Sequence, residues 1–427
     1  MDLLDKARRF CASILTRSSA TADDVLRVAV PQDQARLAEK LSIPCPNPTA
    51  EDKVRDEHRL HGQFLARQER WSDLVDDVER ADAAFEMTPA AMPVADLLCY
   101  GARADVVATV EHALIDGQSR EDGPFIDGIE ALEEMLAEDP KNPIRAVIVA
   151  LTHMDLGWAW RGSESQESVP EANLSAFDAH FDRARDILAQ CEKSFPRGEN
   201  HLHKSPLFVS ATCALNASGI APTARLAQDY ERLIDLNVMS PGPMRALGTY
   251  LSPRWYGSQT ELEVEARRTA ARTQKAWGAG GYTWVMMDVL AGDDVTCAQV
   301  DVEFFVEGLR DILDRMPDQH TANVFAAYCA LTLGEHHFAD ERAETTRRKI
   351  SRCVDWIVRS YLTELHPLIW AHARAGFDNN LRVRSHRKFA DTGRRNGMQK
   401  IAEVFRREIE NNQTIEFTAN GPVARHC

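Results

Sequence analysis

The chain reads as all-α: a stack of helical hairpins of the tetratricopeptide-like type, wound as a right-handed α-solenoid with degenerate repeats. Three observations carry that expectation. Apolar residues recur at helical spacing, as in Val302, Phe305, Val306, Leu309, Ile312, Leu313 and Met316, while Glu303, Glu307, Arg310 and Asp314 fall off the stripe. Prolines and glycines punctuate the spaces between such stripes. Strand patterns are nearly absent; residues 414–418 alternate, but that run is too short to build a sheet.

Taken in order, residues 1–48 are expected to form an N-terminal helical cap, with Thr21 before Asp23 and Asp24 as an N-cap ahead of first-turn carboxylates. Thr49 before Glu51 and Asp52 opens a helix over 50–68 in the same way. Gly62 and Leu65 on that helix, with Trp71, Leu74, Val78 and Ala81 on the next over 71–86, have a tetratricopeptide cadence. A second such unit, Phe125, Gly128, Leu132, Met135 and Leu136 over 124–138, runs into Asp139-Pro140-Lys141-Asn142-Pro143. Proline cannot extend the first helix there and is pre-shaped for the next, over 143–160. Stripes follow at 175–195, 222–237, 259–277 and 347–363, with breaks at Pro222 and Pro241-Gly242-Pro243. Residues 327–339 give a weaker third repeat, and no strict period of about 34 residues holds, so the array is degenerate. The array is expected over 49–377, followed by a basic helix and tail over 378–427.

Composition narrows the function classes. A chain of 427 residues suits two or three domains or one elongated array. Fifty basic against sixty-five acidic residues give a net charge of −15, which opposes general nucleic-acid binding. The nine cysteines are scattered without a CxxC pair, which excludes a zinc-finger reading and opposes a secreted disulfide framework. The first residues show no basic stretch leading into an apolar one, so no signal peptide is read. The longest apolar run, 146–151, is about a third of a membrane span. A cytoplasmic address without a membrane partner is expected.

The most informative words are Trp158-Ala159-Trp160-Arg161-Gly162 and Pro253-Arg254-Trp255-Tyr256-Gly257-Ser258. Trp and Arg are enriched at interaction hot spots, and Gly lets backbones approach closely. As binding residues, Trp158 and Arg161 would hold an anionic or peptide ligand with Asp155 steering, and Trp255 and Tyr256 would stack on it with Arg254 supplying charge. As packing residues, Trp158 and Trp160 are anchors, Gly157 permits a close helix crossing, and Arg161 caps the helix end. On the same reading the second block is an aromatic plug, with Ser258 as N-cap of 259–277.

The first of these blocks, with Val169, Phe177, Phe181 and Ala184, resembles an uncharacterised bacterial family of tetratricopeptide-like helical proteins. Leu251-Ser252 leading into the second block, with Leu262, Ala266 and Arg267 after it, resembles another block of that family. The resemblance covers roughly 50–290 and implies a curved stack of helical hairpins; it implies no activity.

Chemistry-bearing patterns are sparse. His153 and Asp155 are two apart and point away from each other on a helix, so they cannot grip one ion. His58/His61, His201/His203 and His336/His337 lack companion ligands, so no metal is expected. Trp277-Gly278-Ala279-Gly280-Gly281-Tyr282 follows a helix rather than a strand and reads as a helix C-terminus, not a phosphate loop. No triad or paired-carboxylate pattern appears, so no catalytic residues and no cofactor are expected. Residues 372–407 carry ten Lys/Arg and three acids. Arg382, Arg384, Arg387, Lys388, Arg394 and Arg395 would grip phosphates, with Phe377 and Phe389 as stacking platforms. The competing reading docks this segment on the chain's own acidic helices or on a sister subunit. The expected function is thus a non-enzymatic scaffold or adaptor holding a peptide or protein on a concave surface. A nucleic-acid-associated protein is the second reading, and a hydrolase or metal enzyme with a site assembled in space is the third.

Overall fold

Several helices open where the sequence supplies a side-chain acceptor for their unpaired first N–H groups. Asn142 accepts from Ile144 and Arg145 at 3.0 and 3.1 Å, with Pro143 in the first turn. Ser258, Asp293, Asp301, Asp318, Asp340 and Ser385 do the same for six later helices. The Ser258 hydroxyl also donates to Glu261 Oε2 at 2.7 Å. The computed structural model describes residues 37–117, 123–162, 169–195, 201–215, 222–255, 257–377 and 385–426, and these are predominantly helical. They fall into two compact units, 51–243 and 37–50 with 244–426, so the chain divides inside the span expected as one array.

Unit 1 holds α1 (Ala50–Arg67), α2 (Trp71–Ala83), α3 (Val94–Ile115), α4 (Asp127–Glu138), α5 (Pro143–Arg161), α6 (Glu171–Lys193), α7 (Pro206–Ala214) and α8 (Thr223–Leu236). Helices are present where 50–68, 71–86, 124–138 and 143–160 were expected to be helical, and Gly62 lets α1 meet α3: a Cβ there would lie 2.1 Å from Leu98 O. The core gathers around α5, whose residues Ala146, Val147, Ile148, Val149 and Ala150 are buried. Neighbours α2, α3, α4, α6 and α7 all pack on it. Leu65, Leu74, Val78, Leu132, Met135 and Leu136, the residues of the repeat cadence, face that core.

Unit 2 holds α9 (Gly242–Leu251), α10 (Gln259–Trp277), α11 (Gly280–Leu290), α12 (Asp294–Gln299), α13 (Val302–Arg315), α14 (Gln319–Ala327), α15 (Glu341–Ser351), α16 (Val354–Ser360), α17 (Pro367–Ala373), α18 (His386–Val404) and α19 (Arg406–Glu410). Gly278, at φ 58°, ends α10 as expected of a helix C-terminus. The helix expected over 347–363 is two helices, α15 and α16. A π-helical turn, Tyr328–Thr332, follows α14, and the buried Arg347 donates to Leu333 O just beyond it at 2.6 Å. Asn323 is fully buried: its oxygen accepts from His366 N and Trp370 Nε1, at 2.9 and 2.8 Å, and its nitrogen donates to Gln319 O and Glu364 O.

The expectation of no sheet is corrected. Strand β1 (Leu41–Ser42) pairs in parallel with β2 (Gln413–Thr418), which pairs antiparallel with β3 (Gly421–His426). The alternation at 414–418 buries Ile415 and Phe417, with Phe417 edge-on to Phe405 at 5.9 Å. Gly421, at φ 101°, takes a backbone conformation that only glycine adopts without strain, and this turns the chain into β3. A run too short to stand alone is stabilised by two partner strands and a helical underside.

Candidate functional site

Gly157 sets the site. A Cβ there would sit 3.1 Å from the Phe181 ring and 3.4 Å from His180 Cβ, so glycine lets α6 lie close against α5. One turn earlier on α5, His153 therefore meets His180, with their Nδ1 atoms 2.9 Å apart. On its other side His153 Nε2 is 2.9 Å from Glu133 Oε1 of α4. Arg183 of α6 clamps the same carboxylate, Nε to Oε1 at 2.7 Å and Nη2 to Oε2 at 2.5 Å. Three helices thus contribute one row of groups: Arg183, Glu133, His153, His180.

The protonation of this row follows from its surroundings. Burial would raise the Glu133 carboxyl, but hydrogen bonds from Arg183 and His153 outweigh it and hold the pKa below the ordinary value. Burial lowers His153 more than Glu133 raises it, so the ring is neutral near pH 7. Burial, reinforced by His153, pushes His180 down to about 4. With Glu133 ionised, His153 donates from Nε2 and is left with an accepting Nδ1. His180 then donates from Nδ1 and keeps a bare lone pair on Nε2.

Three of these groups, His153, His180 and Arg183, line a groove of about 390 Å³. Phe125, Ile126, Trp160, Ala176 and Ala179 make its apolar lining, and His153, His180 and Arg183 its polar lining. Trp160 lies 5.1 Å from Phe125, ring to ring, and its carbonyl accepts from Asn173 at 2.8 Å.

The expected binding residues are distributed differently. Trp158 and Arg161 do meet, the guanidinium 5.6 Å from the ring centre, but Trp158 packs edge-on against Phe177 and Phe181. The buried Arg161 donates to Gly162 O at 3.1 Å, at the helix end. Asp155 pairs with Arg103 of α3 at 2.6 Å, away from His153, as helix geometry requires. Arg254 and Trp255 belong to unit 2, where Arg254 lies over Gly292 and Trp255 is edge-on to Tyr250 at 5.9 Å. Tyr256 lies outside the described residues, as do Arg382 and Arg384. Arg387, Lys388, Arg394 and Arg395 are exposed on α18. Phe389 is buried against His372 and is no stacking platform, a correction that follows from its place on the inner face of α18. Arg374 and Lys400 of the basic segment pair with Glu335 at 3.1 and 3.4 Å. Among the described residues, no three His, Cys, Asp or Glu side chains are grouped to hold a metal, and His61 instead pairs with Asp77 at 2.8 Å.

The row built on Glu133, His153, His180 and Arg183 had no local pattern to betray it, because its members lie on three helices. The available signal was Gly157, which marks where α5 and α6 approach. No family model, curated protein or solved structure matches this chain.

Proposed function

We propose that this chain is a non-enzymatic, cytoplasmic scaffold of tetratricopeptide-like helical hairpins, and that its unit 1 groove takes an apolar side chain of a peptide or protein partner. One observation carries the reading: an open cleft lined by aromatic and small apolar residues also presents His153, His180 and Arg183, three members of a hydrogen-bonded polar row. A general base working near neutral pH needs a pKa near that pH, and His180 at about 4 is too weak, so binding is favoured over catalysis. Among the described residues the cysteines at 45, 99, 191, 213, 297, 329 and 353 form no disulfide, a pattern that suits a cytoplasmic address. Neither described helices nor their composition supply a membrane span.

The test is selection of displayed peptides on the purified protein, followed by binding to Ala179→Trp, which fills the groove from an exposed position. Selected peptides are expected to share an apolar anchor and to lose at least tenfold in affinity for the folded variant. Equal binding to both proteins would remove the groove from the proposal.

A second reading, nucleic-acid association, is favoured by the exposure of Arg387, Lys388, Arg394 and Arg395, two turns apart in pairs on α18. Binding of labelled RNA or DNA that weakens with salt and is lost on charge reversal at these four positions is the expected result; no binding at low salt ends it.

A further inference from the structure

We infer that the groove selects a neutral amide next to an apolar side chain, such as a peptide main-chain unit, and discriminates against a carboxylate in the same place. This rests on the groove reading above and names the chemistry of its occupant.

The polar end of the groove offers two unlike valences. Arg183 spends Nε and Nη2 on Glu133, and among the described residues nothing bonds its Nη1, which keeps two donors. His180 spends Nδ1 on His153, and among the described residues nothing bonds its Nε2. The two residues are three apart on α6 and so share a face. A donor beside an acceptor matches an amide: its carbonyl accepts from Arg183 and its N–H donates to His180. A carboxylate satisfies only Arg183 and sets an oxygen lone pair against the lone pair of His180. The attraction that a guanidinium would otherwise exert is already offset by Glu133, 2.5 Å away.

The acceptor character of His180 is imposed through His153. Were His153 to hold both protons, its Nδ1–H would point at His180 Nδ1, and His180 would turn a donor into the groove. The ionised Glu133 takes only the Nε2–H, and the burial of His153 opposes a second proton. His153 is thus a positioning residue, fixing which nitrogen of its neighbour carries hydrogen.

The experiment compares N-acetyl-L-phenylalanine amide with N-acetyl-L-phenylalanine by ligand-detected NMR on the full chain at pH 7.5. The amide is expected to bind at least tenfold more tightly. His180→Leu is expected to bring the two within threefold, and Ala179→Trp to abolish both. In the wild-type protein, imidazole nitrogen spectra are expected to show an unprotonated His180 Nε2 whose resonance moves on addition of the amide. This measurement needs no variant and stands even if His180→Leu fails to fold. Equal or tighter binding of the acid, lost in Ala179→Trp, overturns the inference and leaves the groove standing. A protonated Nε2 at pH 7.5 overturns it too. Absence of binding by either compound, or binding unchanged in Ala179→Trp, overturns the groove and the inference together.

Discussion

His153 and His180 approach Nδ1 to Nδ1 at 2.9 Å, a distance at which one imidazole must donate and the other accept. Two bare lone pairs or two N–H groups would repel, so the pair holds one shared hydrogen. Burial, which penalises a charged ring, is the main reason the His180 pKa falls to about 4, and the neighbouring His153 adds to it.

A pH dependence follows. Between its ordinary value of 6.5 and about 4, His180 binds more protons unfolded than folded. Its contribution is therefore fully present above pH 6.5 and is lost as pH falls toward 4. At ~1.4 kcal/mol per pH decade, the loss is on the order of 2–3 kcal/mol. Urea unfolding from pH 7.5 to 4 is expected to show a shallower decline in His180→Phe than in the wild type. Parallel curves would show that the ring is not held neutral.

Helix crossing at the α1–α3 contact tolerates no side chain. A Cβ on Gly101 would lie 1.9 Å from Arg59 O, a backbone atom that cannot step aside. Gly101→Ala is expected to cost ~1–3 kcal/mol in urea unfolding, the range for overpacked interiors. Gly242→Ala is the control: only Ser240 Oγ, at 3.8 Å, comes near, and the change is expected to be neutral or mildly stabilising.

Asn323 ties α14 to the start of α17. Asn323→Leu leaves two buried donors, His366 N–H and the Trp370 indole N–H, without their acceptor. Each orphan costs ~1–3 kcal/mol, so a loss of about 2–6 kcal/mol is expected for the two. Adding Trp370→Phe removes one orphan, so the double variant is expected to lose less than the singles added together. Strict additivity in thermal or urea unfolding would deny the shared bond.

Much of the helical framework was legible because it is written in local patterns. Ser258 with Glu261, and Asn142 before Pro143, mark helix starts by groups no more than three residues apart, and both caps form. The stripe at 302–316 shows clearly because one face of α13 meets the core and the other meets water. Helices α3 and α11 carry no comparable stripe: both are buried on several sides, so their apolar residues run around the cylinder. The sheet was missed because β3 contains Pro422 and exposed Arg425, and it gains its register only from β2. The site was missed for a related reason. His153 and His180 are 27 residues apart, and only the tertiary contact permitted by Gly157 makes them neighbours.

Pairing of Leu41 with Ile415 bears on the order in which the molecule is made. Residues 51–243 form a contiguous stretch, free to consolidate while the ribosome is still translating. Strand β1 emerges before all of it, yet must wait for a partner about 370 positions downstream, a long closure whose entropic cost grows only slowly with length. During that interval an exposed edge of two residues, Leu41 and Ser42, is too short to recruit a foreign strand. The nascent chain thereby carries the first of its described β segments past most of its own synthesis without that segment offering neighbouring polypeptides a template.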